Sequence, residues 1–451
     1  MRYKEMTAKL MSILQDIETV AITTDLWTSV ANMSYITITC HFVDDNYILR
    51  CAVLSTMSLK DETNHSANNI GDTLSDVLQK WNILDKVSTI VTDNDRSMIK
   101  MCENLKKRHL PCFAHTLNLI VRECLSVDNI QIVIIKCKKI VTYIKQSNIA
   151  YAKFKAAQLP NKTYGLKQEV PTRWNSAYAM LERILATREA LGQVLLTTPK
   201  SPPHLTAEEV NVIMDIVKLL APFNDATQKI SAGATVTISL IIPFVCGLLE
   251  NMEDIKTTLR TDEGFKMREL LVANIKKRLL EYEKRTPTRI GTLLDPRSKK
   301  EAFLSPLNVQ EATKLLENEI SNINRSLDIT QETSEPPTPI ESSQPLLKFL
   351  KRNIAQMIKN CRTDSIITLR QYYQSANIDE NRDPLKYWKR AINDTTLQLY
   401  AKRILCVPAT SIESERIFSK AGIIISNKRA SLKPSNVDKI VFLSKNQWIN
   451  E

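Results

Sequence analysis

Tyr35-Ile36-Thr37-Ile38-Thr39-Cys40-His41-Phe42-Val43, residues 35–43, is the stretch whose reading decides the fold. Its β-branched and aromatic residues favour a pleated strand, and Asp44-Asp45-Asn46 after it carries turn chemistry. Upstream, Thr19 to Thr24 is a second β-branched run, leading into Asp25. Downstream, Ile48 to Leu54 reads as a third strand, so the three predict an antiparallel meander. Ser66 to Trp81 changes period: Ile70, Leu74, Val77, Leu78 and Trp81 recur at helical spacing. Val87-Ser88-Thr89-Ile90-Val91 is a short buried-type strand ending at Thr92-Asp93-Asn94. Helical pattern resumes near Ser97 and from Ala114 to Leu125. The first 130 residues therefore predict a mixed α/β unit ordered strand, strand, strand, helix, strand, helix.

From about residue 175 to 325 the pattern is helical, with a break at Asp295-Pro296-Arg297. Ser326 to Pro345 is polar and proline-rich and reads as a disordered loop or linker. Helices are expected at about Leu346–Cys361 and Thr395–Leu405, then around Glu415 with Gly422 as its C-terminal cap. A last amphipathic helix starts at Ser435 with Val437, Ile440, Val441 and Leu443 on one stripe. Phe442 lies off that stripe, which predicts a further contact surface.

Composition narrows the function classes. The chain has 451 residues, 43% of them hydrophobic, enough for two or more domains with full cores. Its eight glycines are dispersed, which excludes G-x-G-x-x-G and Walker A cradles and with them a nucleotide cofactor of those types. Nine scattered cysteines form no C-x-x-C pair and no disulfide framework, pointing to a reducing compartment. The longest apolar run, Ile238 to Leu249, is too short to span a bilayer and contains Pro243, so no membrane association is expected. The net charge of +12 leans toward nucleic acid, although short basic runs such as Lys106-Lys107-Arg108 are also ordinary solvated helix faces.

Three acidic residues stand out. Asp25 and Asp93 both follow apolar β runs, and carboxylates converging at strand ends repel unless a divalent metal lies between them. A strand-ending Asp is equally a common turn former. In Pro408-Ala409-Thr410-Ser411-Ile412-Glu413-Ser414-Glu415-Arg416-Ile417-Phe418, Thr410 and Glu413 read as a capping box, which accounts for Glu413. Glu415 instead runs along the packed face, where a carboxylate needs an ion pair or a metal. Cys102, His109, Cys112 and His115 lack zinc-finger spacing. Trp174, after Pro171-Thr172-Arg173, is a core aromatic or a stacking platform for a base.

Together these segments resemble the hAT superfamily of transposases and, within it, the zinc finger BED domain-containing proteins. The matching motifs are Thr24-Asp25-Leu26-Trp27-Thr28-Ser29, Val91-Thr92-Asp93-Asn94, Cys112-Phe113-Ala114-His115-Thr116-Leu117-Asn118, Pro171-Thr172-Arg173-Trp174-Asn175-Ser176, Leu294-Asp295-Pro296-Arg297, Asp383-Pro384-Leu385-Lys386-Tyr387-Trp388 and Ser414 to Gly422. They fall in the family's order along nearly the whole chain. The resemblance implies an RNase H-like core begun by residues 16–175, interrupted by a helical insertion at 176–394, and completed by a dimerisation region at 395–451. It implies that Asp25, Asp93 and Glu415 form an acidic triad holding Mg²⁺ or Mn²⁺ for phosphodiester cleavage and strand transfer. It implies DNA contact by Trp174, Arg173 and His115, with Trp174 stacking on an extruded base. It further implies a nuclear location, DNA as partner and a homo-oligomer. No BED finger is expected, since no C-x-x-C pair exists, so the alternative expectation is a domesticated or truncated, catalytically idle dimerising protein acting on DNA or chromatin.

Overall fold

A computed structural model describes residues 2–28, 33–159, 163–233, 235–331, 361–391, 395–424 and 434–450. The meander forms as its sequence predicts: β1 (Val20–Thr28), β2 (Ser34–Val43) and β3 (Leu49–Ser58) pair antiparallel. Helix α1 (Arg2–Asp16) precedes them, and its i, i+4, i+8 residues Met6, Leu10 and Leu14 are buried. After β3 come α2 (Ala67–Lys80), β4 (Val87–Thr92), α3 (Arg96–Asn104), β5 (Arg108–Pro111) and α4 (Phe113–Leu125). Among the described residues the strands make one sheet in the order β3-β2-β1-β4-β5, with β4 parallel to both β1 and β5. Edge strand β5 is four residues ending in Pro111, too short for a periodic signal of its own. A proline is tolerated there because one side of an edge strand has no neighbour.

The two sheet faces follow the period-2 alternation of the strands. Val20, Ile22, Ile36, Ile38, Cys40 and Phe42 face a core shared with α1, α2 and α3. Residues at odd positions point the other way, and there Thr23, Thr37 and Thr39 are fully buried polar residues beneath the C-terminal helices and the helical body. That body begins with α4 and continues through Asp128–Gln146, Trp174–Ala186, Ala207–Ile230, Ile241–Lys256, Asp262–Arg278 and Pro306–Gln331 in one large apolar core.

The chain then returns to the sheet. The Glu415 helix (Ile412–Ile424) packs on β1 and β2, and the final helix (Pro434–Lys445) lies on β3. Along the open edge of β3, polar side chains answer the backbone. Asn446 accepts from Val53 N at 2.9 Å and donates to Val53 O at 2.9 Å, Asp438 accepts from Thr56 N at 2.7 Å, and Trp448 Nε1 donates to Cys51 O at 3.1 Å. These bonds blunt an edge that would otherwise template strand pairing.

Several expectations are corrected. Phe442 is not left over: it is fully buried against Tyr3 and Trp81, because the sheet and α1 give the final helix two packing surfaces rather than one. Ile440 is the residue of that helix left 40% exposed. Gly422 lies inside its helix, which runs on to Ile424, so it is not the cap. Residues 326–331 of the expected loop continue the helix Pro306–Gln331; the rest of Ser326–Pro345 lies outside the described residues. The helix expected at Leu346–Cys361 likewise lies outside them, apart from Cys361, which opens Cys361–Gln374. No helix among the described residues is long and apolar enough to cross a membrane.

Candidate functional site

Asp25 sits within β1, which runs three residues beyond it to Thr28, rather than at the strand's end. It shares a sheet face with Thr23. Asp93 immediately follows β4, where its Oδ1 accepts from Asp95 N at 3.1 Å. Asp95 in turn caps α3 by accepting from Ser97 N at 2.7 Å. The parallel register pairs Thr23 with Val91, so two further steps along both strands bring Asp25 level with Asp93. Glu415 arrives from the far end of the sequence on the first turns of its helix.

Local bonds fix that arrival. Pro408 keeps the chain out of helix before it, and Phe113 N donates to Ala409 O at 3.0 Å. Ala409 N donates to Thr237 Oγ1 at 3.0 Å, and Ser411 N donates to Cys112 Sγ at 3.3 Å. The helix starts at Ile412, and Glu413 is held by Arg416 at 2.5 Å and Lys445 at 3.9 Å, where the sequence predicted a capping box with Thr410. Glu415, two residues on, has no ion pair within 4 Å among the described residues.

The electrostatics join the three carboxylates. Burial pushes the Asp25 carboxyl up to about 8, and the charges of Asp93 and Glu415 push in the same direction against a single backbone donor, Leu26 N at 2.9 Å. Burial also raises Glu415; Arg173 and His115 oppose that shift and Asp93 adds to it. At neutral pH and without a cation, Asp25 therefore retains its proton.

Beside these carboxylates opens a cleft of about 1040 Å³. His115, Arg173, Trp174 and Glu415 line it, together with Arg122, Arg416 and Lys445. Asp25 and Asp93 do not line the cleft; they reach Glu415 through the field they share. The Trp174 indole is only 3% exposed and packs edge-on against Tyr178 at 6.4 Å. Its backbone N donates to Asn118 Oδ1 at 3.3 Å. It is a wall of the cleft rather than the open platform for a base that the sequence also allowed. Arg173 is exposed at the rim, and His115 lies half-buried in the first turn of α4.

Sequence reasoning missed Arg122, Arg416 and Lys445. For Arg122 a signal existed: His115, Asn118 and Arg122 are spaced i, i+3, i+7 on α4, one helix face. For Lys445 no local signal existed, since the final helix reaches the cleft only through its docking on the sheet.

The donors are three carboxylates, the type a hard divalent cation takes, and Asp25 is pushed toward its protonated form chiefly by burial. Yet among the described residues no group of three or more His, Cys, Asp or Glu is close enough together to hold a metal ion.

Comparison with known proteins covers the same ground. The ZBED1 RNase-like domain matches residues 23–116, the ZBED1 RNase-like helical domain residues 110–219, and the hAT family C-terminal dimerisation region residues 368–448. An AC transposase of Zea mays is 24% identical over 97% of this chain and 58% of that protein. The human zinc finger BED domain-containing protein 4 is 25% identical over 98% of this chain and 39% of that protein. The human zinc finger BED domain-containing protein 6 is 26% identical over 97% of this chain and 49% of that protein. The chain spans about half the length of the curated relatives it matches.

Proposed function

Since this chain is a relative of the hAT transposases and the zinc finger BED domain-containing proteins, we propose that it is a transposase-derived nuclear protein that binds DNA and cleaves phosphodiesters with divalent metal. The observation that carries this reading is the parallel register of β1 and β4, which brings Asp25 level with Asp93, together with the packing of the Glu415 helix on β1 and β2. Asp25, Asp93 and Glu415 would hold Mg²⁺ or Mn²⁺, which when bound supplies Lewis-acid activation of the attacking oxygen and stabilisation of the leaving one. Arg122, Arg173, Arg416 and Lys445 form the phosphate-attracting walls of the cleft. His115 and Arg173 also hold Glu415 toward its charged state. The reading includes an RNase H-like core in which the helices from about 176 to 394 are an insertion. It is supported by the Glu415 and final helices packing back on the strands of the first hundred residues. Homo-oligomerisation through the matched C-terminal region belongs to the same proposal.

The test is cutting of a DNA hairpin or nicked duplex with Mg²⁺ or Mn²⁺. Glu415→Gln keeps the side-chain size and loses the charge, so cleavage should disappear. Equal cleavage by wild type and variant would remove this mechanism. A second reading, a catalytically idle, dimerising nuclear protein acting on DNA or chromatin, is favoured by the finding that no group of three or more His, Cys, Asp or Glu among the described residues is placed to hold a metal ion. On that reading neither wild type nor Glu415→Gln cuts with Mg²⁺ or Mn²⁺, while both still bind DNA.

A further inference from the structure

The helix carrying Glu415 meets the sheet through a buried polar seam. Ser414 Oγ lies 2.7 Å from Thr23 Oγ1, and neither residue is exposed at all. Thr23 Oγ1 continues the seam by a hydrogen bond to Thr39 Oγ1, and Thr39 Oγ1 lies 3.0 Å from His41 Nε2. His41 is itself buried, which pushes its pKa down to about 4 and keeps it neutral in the seam. A second contact lies one turn earlier. Ser411 N donates to Cys112 Sγ at 3.3 Å, while Cys112 N donates to Thr92 O at 2.7 Å.

The placement of these contacts is what distinguishes them from ordinary helix docking. Thr23 is two residues before Asp25 on the same strand face, and Ser414 adjoins Glu415. Thr92 adjoins Asp93, and Cys112 opens the helix that carries His115. Apolar side chains could dock a helix here at lower cost, because buried hydroxyls are expensive unless paired. Directional hydrogen bonds, however, allow one register where an apolar contact tolerates several. We propose that Thr23 and Ser414 are positioning residues that fix Glu415 against the strand carrying Asp25, with Cys112 holding the start of the same helix over Asp93. This rests on the proposed reading of the three carboxylates as a metal-binding set.

The experiment measures Mn²⁺ binding to the full chain by electron paramagnetic resonance, alongside the thermal unfolding midpoint, without any activity assay. Thr23→Val keeps shape and removes the hydroxyl; Ser414→Ala removes its partner; Thr23→Ser is the conservative rescue. Groups that hydrogen-bond a metal ligand directly are worth roughly 10–100-fold in affinity, and Thr23 and Ser414 act one step further out, so Thr23→Val and Ser414→Ala should each weaken Mn²⁺ binding by about tenfold, the low end of that range. Thr23→Ser should bind like wild type. Wild-type affinity in folded Thr23→Val or folded Ser414→Ala would overturn the positioning role and leave the metal-site reading standing. Loss of fold in both would overturn it too, since the seam would then hold the molecule rather than the site. Absence of Mn²⁺ binding in wild type would instead sink the metal-site reading, and the positioning role with it.

Discussion

Asp295 and Asp25 are two partly or wholly buried aspartates that the chain treats in opposite ways. Asp295, 1% exposed in the helical body, is answered on every side. Arg297 reaches it through Nη2 at 2.6 Å and Nε at 2.9 Å, its own backbone N donates at 3.0 Å, and Ser239 Oγ donates at 2.5 Å. Asp25 has one backbone donor and two like charges. A carboxylate supplied with four donors is a finished structural element. A carboxylate buried beside two like charges with a single donor is a cost that the rest of the fold must offset.

The comparison breaks most sharply at Arg297. Arg297→Ala strands Asp295 as a buried, uncompensated charge and should cost about 3 kcal/mol in chemical denaturation. A loss below about 1 kcal/mol would mean Asp295 is not the finished element described here. Asn446→Ala comes next, removing two bonds to the β3 backbone, for a loss of about 1–3 kcal/mol in the same measurement. The same variant should self-associate more readily in light scattering, because the β3 edge is uncovered.

Asp25→Asn is expected to behave differently, and pH shows why. The folded carboxyl titrates near 8 against an ordinary 3.8, so the folded state holds more protons than the unfolded one between those values. The stability this contributes is fully present below about pH 4 and lost as pH rises toward about 8. In cation-free buffer, unfolding free energy of the wild type should therefore fall across that window. Asp25→Asn should flatten the fall, as should saturating Mg²⁺. An unchanged slope in the variant would place the charge frustration elsewhere. The smallest effect belongs to Glu413→Gln, next to Glu415 but ion-paired near the surface; denaturation should register at most about 1 kcal/mol.

Legibility in the sequence follows the range of the interactions. The meander, α2 and β4 were readable because alternation and helical spacing are local. Helix α1 was readable in principle, from Met6, Leu10 and Leu14. Strand β5 was not, because four residues carry no period and only pairing with β4 makes them a strand. At the site, Glu415 was legible as a carboxylate on a packed face without a local excuse, whereas Thr23 and Ser414 were not, since each is unremarkable until the other is beside it. Trp174 was legible as a core aromatic or a stacking platform, and its 3% exposure matches the first, whereas its place in the cleft wall was not legible.

By itself, the sequence determined which segments prefer strand or helix, which carboxylates lack a local role, and the order of motifs in which the chain resembles the hAT transposases. These depend on side-chain chemistry over a few residues. Only the tertiary structure decided that Phe442 is core, that Asn446 and Trp448 close the sheet edge, and that residues 25, 93 and 415 share one field. Those outcomes depend on contacts across hundreds of residues, where the gain from burial and the geometry of a hydrogen bond exist only after the chain has closed on itself.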